Sequence, residues 1–209
     1  MNKTVIFDDE YGLLFSEHLQ RIKETIEKAL KEHPRTTVIR VDLHFPDYIV
    51  EDICATDSAA ITRFTASLRA KIIATQEKSR RGGKRIHRTA VRIIWCKEYD
   101  SVGVKPHYHI ALLLNKDAYK DLGDYQSNNS SLAAMIIRAW YSAIRIPCPE
   151  NPKKRSLVKF PANPVYWLCV YSDRLDKDIE KVMFRLRYMA KVRSKHYESG
   201  YRLFGYSQK

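Results

Sequence analysis

The sequence predicts an α+β fold: a ferredoxin-like, split βαβ antiparallel sheet with helices mainly on one face. Three observations carry this. From residue 36 to residue 171 the apolar pattern switches between period two and period 3.6, in the order strand, helix, strand, strand, helix, strand. The two middle strands are separated by a short stretch holding Gly103 and Pro106, which suits a hairpin. No domain linker and no internal repeat interrupts the 209 residues, so residues 1–209 read as a single domain.

Taken in order, residues 11–32 read as an N-terminal helix. Leu13, Leu14, Leu19, Ile22, Ile26 and Leu30 recur near a 3.6-residue period, and Pro34 lies just past the end. Residues 36–45 are the first strand. Ile39, Val41, Leu43 and Phe45 face one way and Arg40, Asp42 and His44 the other, so the polar face is either solvated or part of a site. Residues 57–78 are a helix with Asp57 as N-cap and Ile61, Phe64, Leu68, Ile72 and Ile73 as its buried stripe. Residues 89–98 form the next strand, and the strand opening at His107 pairs antiparallel with it. Residues 116–130 are polar and irregular, 131–145 a helix, 164–171 a strand and 175–195 the last helix. Asp176 and Asp178 near its start and Lys191, Arg193 and Lys195 near its end agree with the helix dipole. Residues from about 196 to 209 are a short extension without clear period.

The chain carries 37 Lys and Arg against 24 Asp and Glu, a net charge of +13, which points to a polyanion partner, most often nucleic acid. Arg80, Arg81, Lys84 and Arg85 surround Gly82 and Gly83 and are candidate phosphate contacts, as is Lys195; Lys153, Lys154 and Arg155 make a second basic cluster. The basic glycine turn is no P-loop, lacking the first Gly and the Ser or Thr after the Lys. No apolar run nears the ~20 residues of a membrane span, and the first residues lack a signal-peptide layout, so the expectation is cytoplasmic. The four cysteines, Cys54, Cys96, Cys148 and Cys169, form no Cys-x-x-Cys pair, which speaks against a zinc ribbon.

One stretch carries chemistry. His107 and His109 share one face of a strand, about 7 Å apart at the backbone, and can converge on one divalent ion. Glu98 closes the preceding strand as His107 opens the next, so Glu98 can supply a third ligand; Asp42 or His44 is the alternative. Two imidazoles and a carboxylate leave positions open on Mg²⁺ or Mn²⁺ for a phosphate oxygen. Tyr188 is a candidate nucleophile, with Lys191 one helical turn on to favour its phenolate.

His107-Tyr108-His109 ahead of an apolar strand resembles the His-hydrophobic-His motif of HUH endonucleases, and Tyr188-Met189-Ala190-Lys191 resembles their Tyr-x-x-Lys motif. With Glu98 as the acidic ligand, the set is most similar to rolling-circle replication initiators of the inovirus type, found in filamentous phages, prophages and satellite elements. The resemblance spans residues 36–195 and implies an HUH nicking domain. It implies a divalent metal at Glu98, His107 and His109, attack by Tyr188 on single-stranded origin DNA, and a 5′-phosphotyrosine beside a free 3′-OH. A host polymerase would extend that 3′-OH and a host helicase would unwind the duplex, since no ATPase motif is present. The family's second tyrosine has no match beside Tyr188, because Tyr197, Tyr201 and Tyr206 are wrongly spaced for one helix face. The rival readings are a relaxase or transposase of the same superfamily and a non-catalytic nucleic-acid-binding domain. The latter would place stacking aromatics on its open sheet face, where this chain has Arg92, Glu98, His107 and His109.

Overall fold

The computed structural model of the protein describes residues 4–46, 59–99, 106–125, 131–192 and 202–208. The fold is α+β, with antiparallel sheets and, among the described residues, four α-helices. A two-stranded hairpin, β1 (Val5–Asp8) and β2 (Gly12–Phe15), leads into helix α1 (Ser16–Glu32). Then come β3 (Arg35–His44), α2 (Ala60–Arg81), β4 (Arg92–Tyr99), β5 (Pro106–Asn115) and α3 (Leu132–Ala143). A two-residue β6 (Val158–Lys159), β7 (Val165–Cys169), α4 (Leu175–Arg187) and β8 (Phe204–Tyr206) complete the order.

The main sheet has the strand order β6-β3-β5-β4-β8, with β7 also paired to β3. Strands β3 and β4, joined through α2, are thus separated by β5, which is what a split βαβ means. Strand β5 is central and buried on both faces. Tyr108, Ile110, Leu112 and Leu114 join a core with Phe64, Leu68, Ile72 and Trp140 of α2 and α3. Ala111 and Leu113 join a second core with Ile22 and Ile26 of α1 and Val182 and Leu186 of α4.

The expectation of helices mainly on one face is therefore corrected: two helices cover each face. The physical reason lies in β5 itself. Ile110 to Leu114 are five consecutive apolar residues, and a strand apolar on both sides must be covered on both sides. Among the described residues, α1 and α4 cover the part of the site face formed by Ala111 and Leu113, away from the end where His107 lies.

Three boundaries also differ. The N-terminal helix starts at Ser16, because Leu13 and Leu14 belong to β2. The turn before them is held by Asp8, whose Oδ1 accepts from the backbone N–H of Glu10 and Tyr11 at 3.1 and 3.0 Å, and Gly12 takes φ +72°. Helix α4 stops at Arg187, well short of residue 195, and is followed by a 3₁₀ turn, Tyr188–Ala190. There the chain leaves the helix to pair with the hairpin: Lys191 bridges Leu14, and Val192 N–H donates to Leu13 O at 3.0 Å. Third, the C-terminal stretch contains β8, three residues too short to show a period. Helix α3 is capped by Ser131, whose hydroxyl accepts from Ala134 N–H at 3.2 Å; the expected cap Asp57 lies outside the described residues.

In β8, Gly205 sits opposite Trp95 of β4, and a Cβ there would run into the indole ring. Gly205→Ala is expected to cost about 1–3 kcal/mol through this overlap, read as a lower midpoint in urea unfolding with an unchanged slope. Cys96 is buried and Cys148 and Cys169 are half-buried free thiols, while Cys54 lies outside the described residues. Among the described residues no helix is long and apolar enough to cross a membrane.

Candidate metal centre

The register of three adjacent strands builds the site. His107 of β5 lies opposite His44 of β3 and Glu98 of β4; His109 lies opposite Asp42 and Cys96. Directly opposed residues in an antiparallel pair share a face. All six side chains therefore emerge on one face at one end of the sheet. Ion-binding atoms of Glu98, His107 and His109 lie within 4.8 Å of one another. His109 Nε2 is 3.1 Å from His107 Nε2 and 3.3 Å from Glu98 Oε2. Adjacent ligands on an ion with bonds of ~2.1 Å are spaced at about that distance, so the residues fit a shared divalent cation.

The far side of His109 is equally built. Its Nδ1 lies 2.6 Å from Asp42 Oδ1, which assigns Nδ1–H as donor and turns Nε2 towards His107 and Glu98, where loss of its proton would free a lone pair for a metal. A carboxylate behind a ligating imidazole fixes ring and tautomer together. Asp42 is held in turn by Arg40, whose Nη1 is 3.0 Å from Oδ1 and also donates to Val41 O and Ile110 O at 3.1 and 2.9 Å. Of the two alternative third ligands, Asp42 thus bonds the ring nitrogen that points away from the triad. His44 stacks against His107 with centroids 5.5 Å apart.

Burial sets the protonation pattern. Glu98 is only 2 % exposed and His109 8 %. Burial, then the charges of His109 and His44, push His107 down to about 4, so it is neutral and ready to ligate at pH 7. Burial also pulls on His109, but the hydrogen bonds to Asp42 and Glu98 outweigh it and raise its pKa. Asp42 is held down at about 2: burial opposes this, and the His109 hydrogen bond and the Arg40 charge prevail.

Tyr188 stands against this cluster. Its ring meets His109 edge-on with centroids 4.9 Å apart, and its hydroxyl hydrogen-bonds Glu98. Burial and the Glu98 charge push the phenol up to about 12, so a neighbouring cation is needed to bring its phenolate within reach. Lys191 Nζ lies 3.8 Å from the ring centroid. Lys191 reaches it from an extended backbone with ψ 141°, rather than from the next turn of a helix as expected. The hairpin clamps this segment. Tyr11 packs edge-on against Tyr188 at 5.8 Å, and Asp8 pairs with Arg187 at 3.1 Å.

The remaining candidates are elsewhere. Arg80 and Arg81 end α2, on the opposite face, and Arg80 pairs with Glu77 at 2.8 Å. Lys84 and Arg85 follow in a loop whose later residues, Arg88 and Thr89, hydrogen-bond Asn115 at the far end of β5. From Arg92 to Glu98 is six residues of strand, ~20 Å, so the structure does not bring this basic loop to the triad. Lys195 lies outside the described residues, as do Tyr197 and Tyr201; Tyr206 is on β8 opposite Ile94. Sequence reasoning missed Tyr11, which it placed at the start of the N-terminal helix, and saw Asp42 only as a rival ligand.

Two curated relatives match over nearly the whole chain. The uncharacterized protein YagK of Escherichia coli is 39% identical over 207 residues, covering 97% of this chain and 97% of its own length. The uncharacterized protein YfjJ of the same organism is 39% identical over 213 aligned residues, covering 97% and 99%. No solved structure matches. The YagK/YfjJ C-terminal domain profile spans residues 1–207, and with both relatives aligned end to end the chain belongs to that family.

Proposed function

We propose that the protein is a metal-dependent, site-specific single-stranded DNA endonuclease of the HUH type that initiates rolling-circle replication of a phage or other mobile element. The observation that carries this reading is the convergence of Tyr188 on Glu98, His107 and His109 from a part of the chain some 80 residues away. The strand order, with β5 between β3 and β4, supports the fold that goes with it.

Glu98, His107 and His109 would hold Mg²⁺ or Mn²⁺, the mixed nitrogen and oxygen set favouring Mn²⁺ of the two. Bound there, the ion would supply charge to polarise a scissile phosphate. Asp42 keeps the His109 lone pair aimed at that point. Tyr188 Oη forms a bond to phosphorus as the P–O3′ bond breaks. Its proton passes to solvent, and the departing 3′ oxygen takes one from solvent. Lys191 favours the phenolate by its positive charge. The products are a 5′-phosphotyrosine and a 3′-OH that a host polymerase would extend, with a host helicase opening the duplex. Action on DNA in the cytoplasm belongs to the same proposal.

The test is a denaturing gel of the protein incubated with end-labelled single-stranded DNA and Mn²⁺. A slow-migrating covalent adduct is expected, and removal of the metal with chelator should abolish it. Absence of adduct from folded, metal-loaded protein across a random-sequence pool would overturn the reading.

A further inference from the structure

The second basic cluster, Lys153 to Arg155, plays no part in the site above, yet it borders a built pocket. We propose that this pocket takes one unstacked nucleobase of the single strand whose backbone crosses the metal centre; the inference rests on the nuclease reading for the identity of that strand. The pocket measures about 400 Å³, within the ~300–1,000 Å³ of small-ligand sites. Its walls are Ile137 of α3, Val158 of β6, Phe160, Pro161 and Pro164, closed by Tyr125. Tyr125 is 44% exposed and its ring lies 5.1 Å from that of Phe160, so a flat heterocycle can stack on its open side. Lys153 and Arg155 stand at the rim, and no acidic side chain lines the pocket among the described residues.

The rim is rigid. Asn151 Oδ1 caps the turn at Lys153 N–H at 3.0 Å, and the Arg155 guanidinium is tied to Pro149 O and Glu150 O, both at 2.9 Å. Its position relative to the metal centre is set by strand register. Strand β6 borders β3, with Lys159 opposite Asp42 and Val158 opposite Leu43. Val158 therefore points into the pocket on one face while Lys159 stands on the site face, opposite Asp42. A strand leaving the triad past His44 meets Lys159 at the sheet edge and the aromatic pocket directly behind it. An anionic backbone with detachable flat bases matches cations at the edge and aromatic walls beyond.

The test uses the full chain, a chelator so that binding is read without cleavage, and a short oligonucleotide selected from a random pool, followed by fluorescence anisotropy. Each nucleotide is replaced in turn by an abasic one. In the unaltered protein one position is expected to lose about tenfold in affinity. In Tyr125→Ala, an exposed position, the intact oligonucleotide should bind about tenfold more weakly and the loss at that position should vanish. Lys153→Ala should lower the slope of log K against log salt by about 0.7. Equal abasic losses in the variant and the unaltered protein, with both salt slopes alike, would overturn the pocket. Coupling at Tyr125 without any covalent adduct would sink the nuclease reading and leave the pocket standing; adduct without coupling would do the reverse. Failure to bind single-stranded DNA at all would overturn both.

Discussion

Tyr188→Phe is expected to reduce covalent adduct to background, a loss of more than about 10³-fold, while Mn²⁺ affinity stays within about threefold. The ring contacts explain why the two readouts separate. Phenylalanine keeps the edge-on packing against His109 and Tyr11, so the turn after α4 retains its place. Only the hydroxyl and its hydrogen bond to Glu98 are lost, a change worth about 1 kcal/mol in stability. Tyr206→Phe is the matched control, since Tyr206 sits on β8 opposite Ile94. The measurement is the denaturing gel combined with calorimetric metal titration. Adduct at undiminished yield in Tyr188→Phe would remove Tyr188 from the nucleophile role.

His109→Ala should weaken Mn²⁺ binding by more than about 100-fold and abolish adduct with it. The variant deletes one of the three proposed ligands and leaves the buried Glu98 and half-buried Asp42 carboxylates without the imidazole between them. Asp42→Asn keeps the ligand and alters only what stands behind it, so a smaller loss of ~10–100-fold is expected. Titration calorimetry orders the three proteins. pH supplies a further check on the same site. The folded pKa of His109 is raised, so its proton is retained to higher pH than in an ordinary imidazole and competes with the metal. Binding should therefore release a proton near neutrality and tighten as pH rises through that pKa, levelling off above it. A metal affinity independent of pH between 6 and 8 would argue against ligation by His109.

The candidate site was legible where its parts are local in the chain. His107 and His109 alternate on one strand, and Glu98 ends the strand before a short connection, so antiparallel pairing alone puts them side by side. The strand and helix order from residue 36 to 171, the two-residue β6 apart, was legible for the same reason: each of the other elements is long enough to show its period. The polar face of β3 was visible as an alternation, but its role was not. Whether Asp42 meets the near or the far nitrogen of His109 depends on side-chain direction across a strand pair, to which sequence spacing is blind.

The hairpin at residues 5–15 was hidden because Leu13 and Leu14 also satisfy a helical period, and the turn residues before them were the only contrary sign. The end of α4 at Arg187 was hidden because Tyr188 to Lys191 have no helix breaker; what stops the helix is pairing with Leu13 and Leu14 from the other end of the chain.

His107-Tyr108-His109, Glu98 and an α+β pattern are properties of the sequence itself, dictated by side-chain chemistry and by the two periods of regular backbone. The covering of both sheet faces, the clamp of Tyr11 on Tyr188 and the Asp42 brace behind His109 were decided only by tertiary structure. The clamp and the brace join residues 177 and 67 positions apart, and contacts of that span arise from burying two cores at once, which leaves no local trace in the order of amino acids.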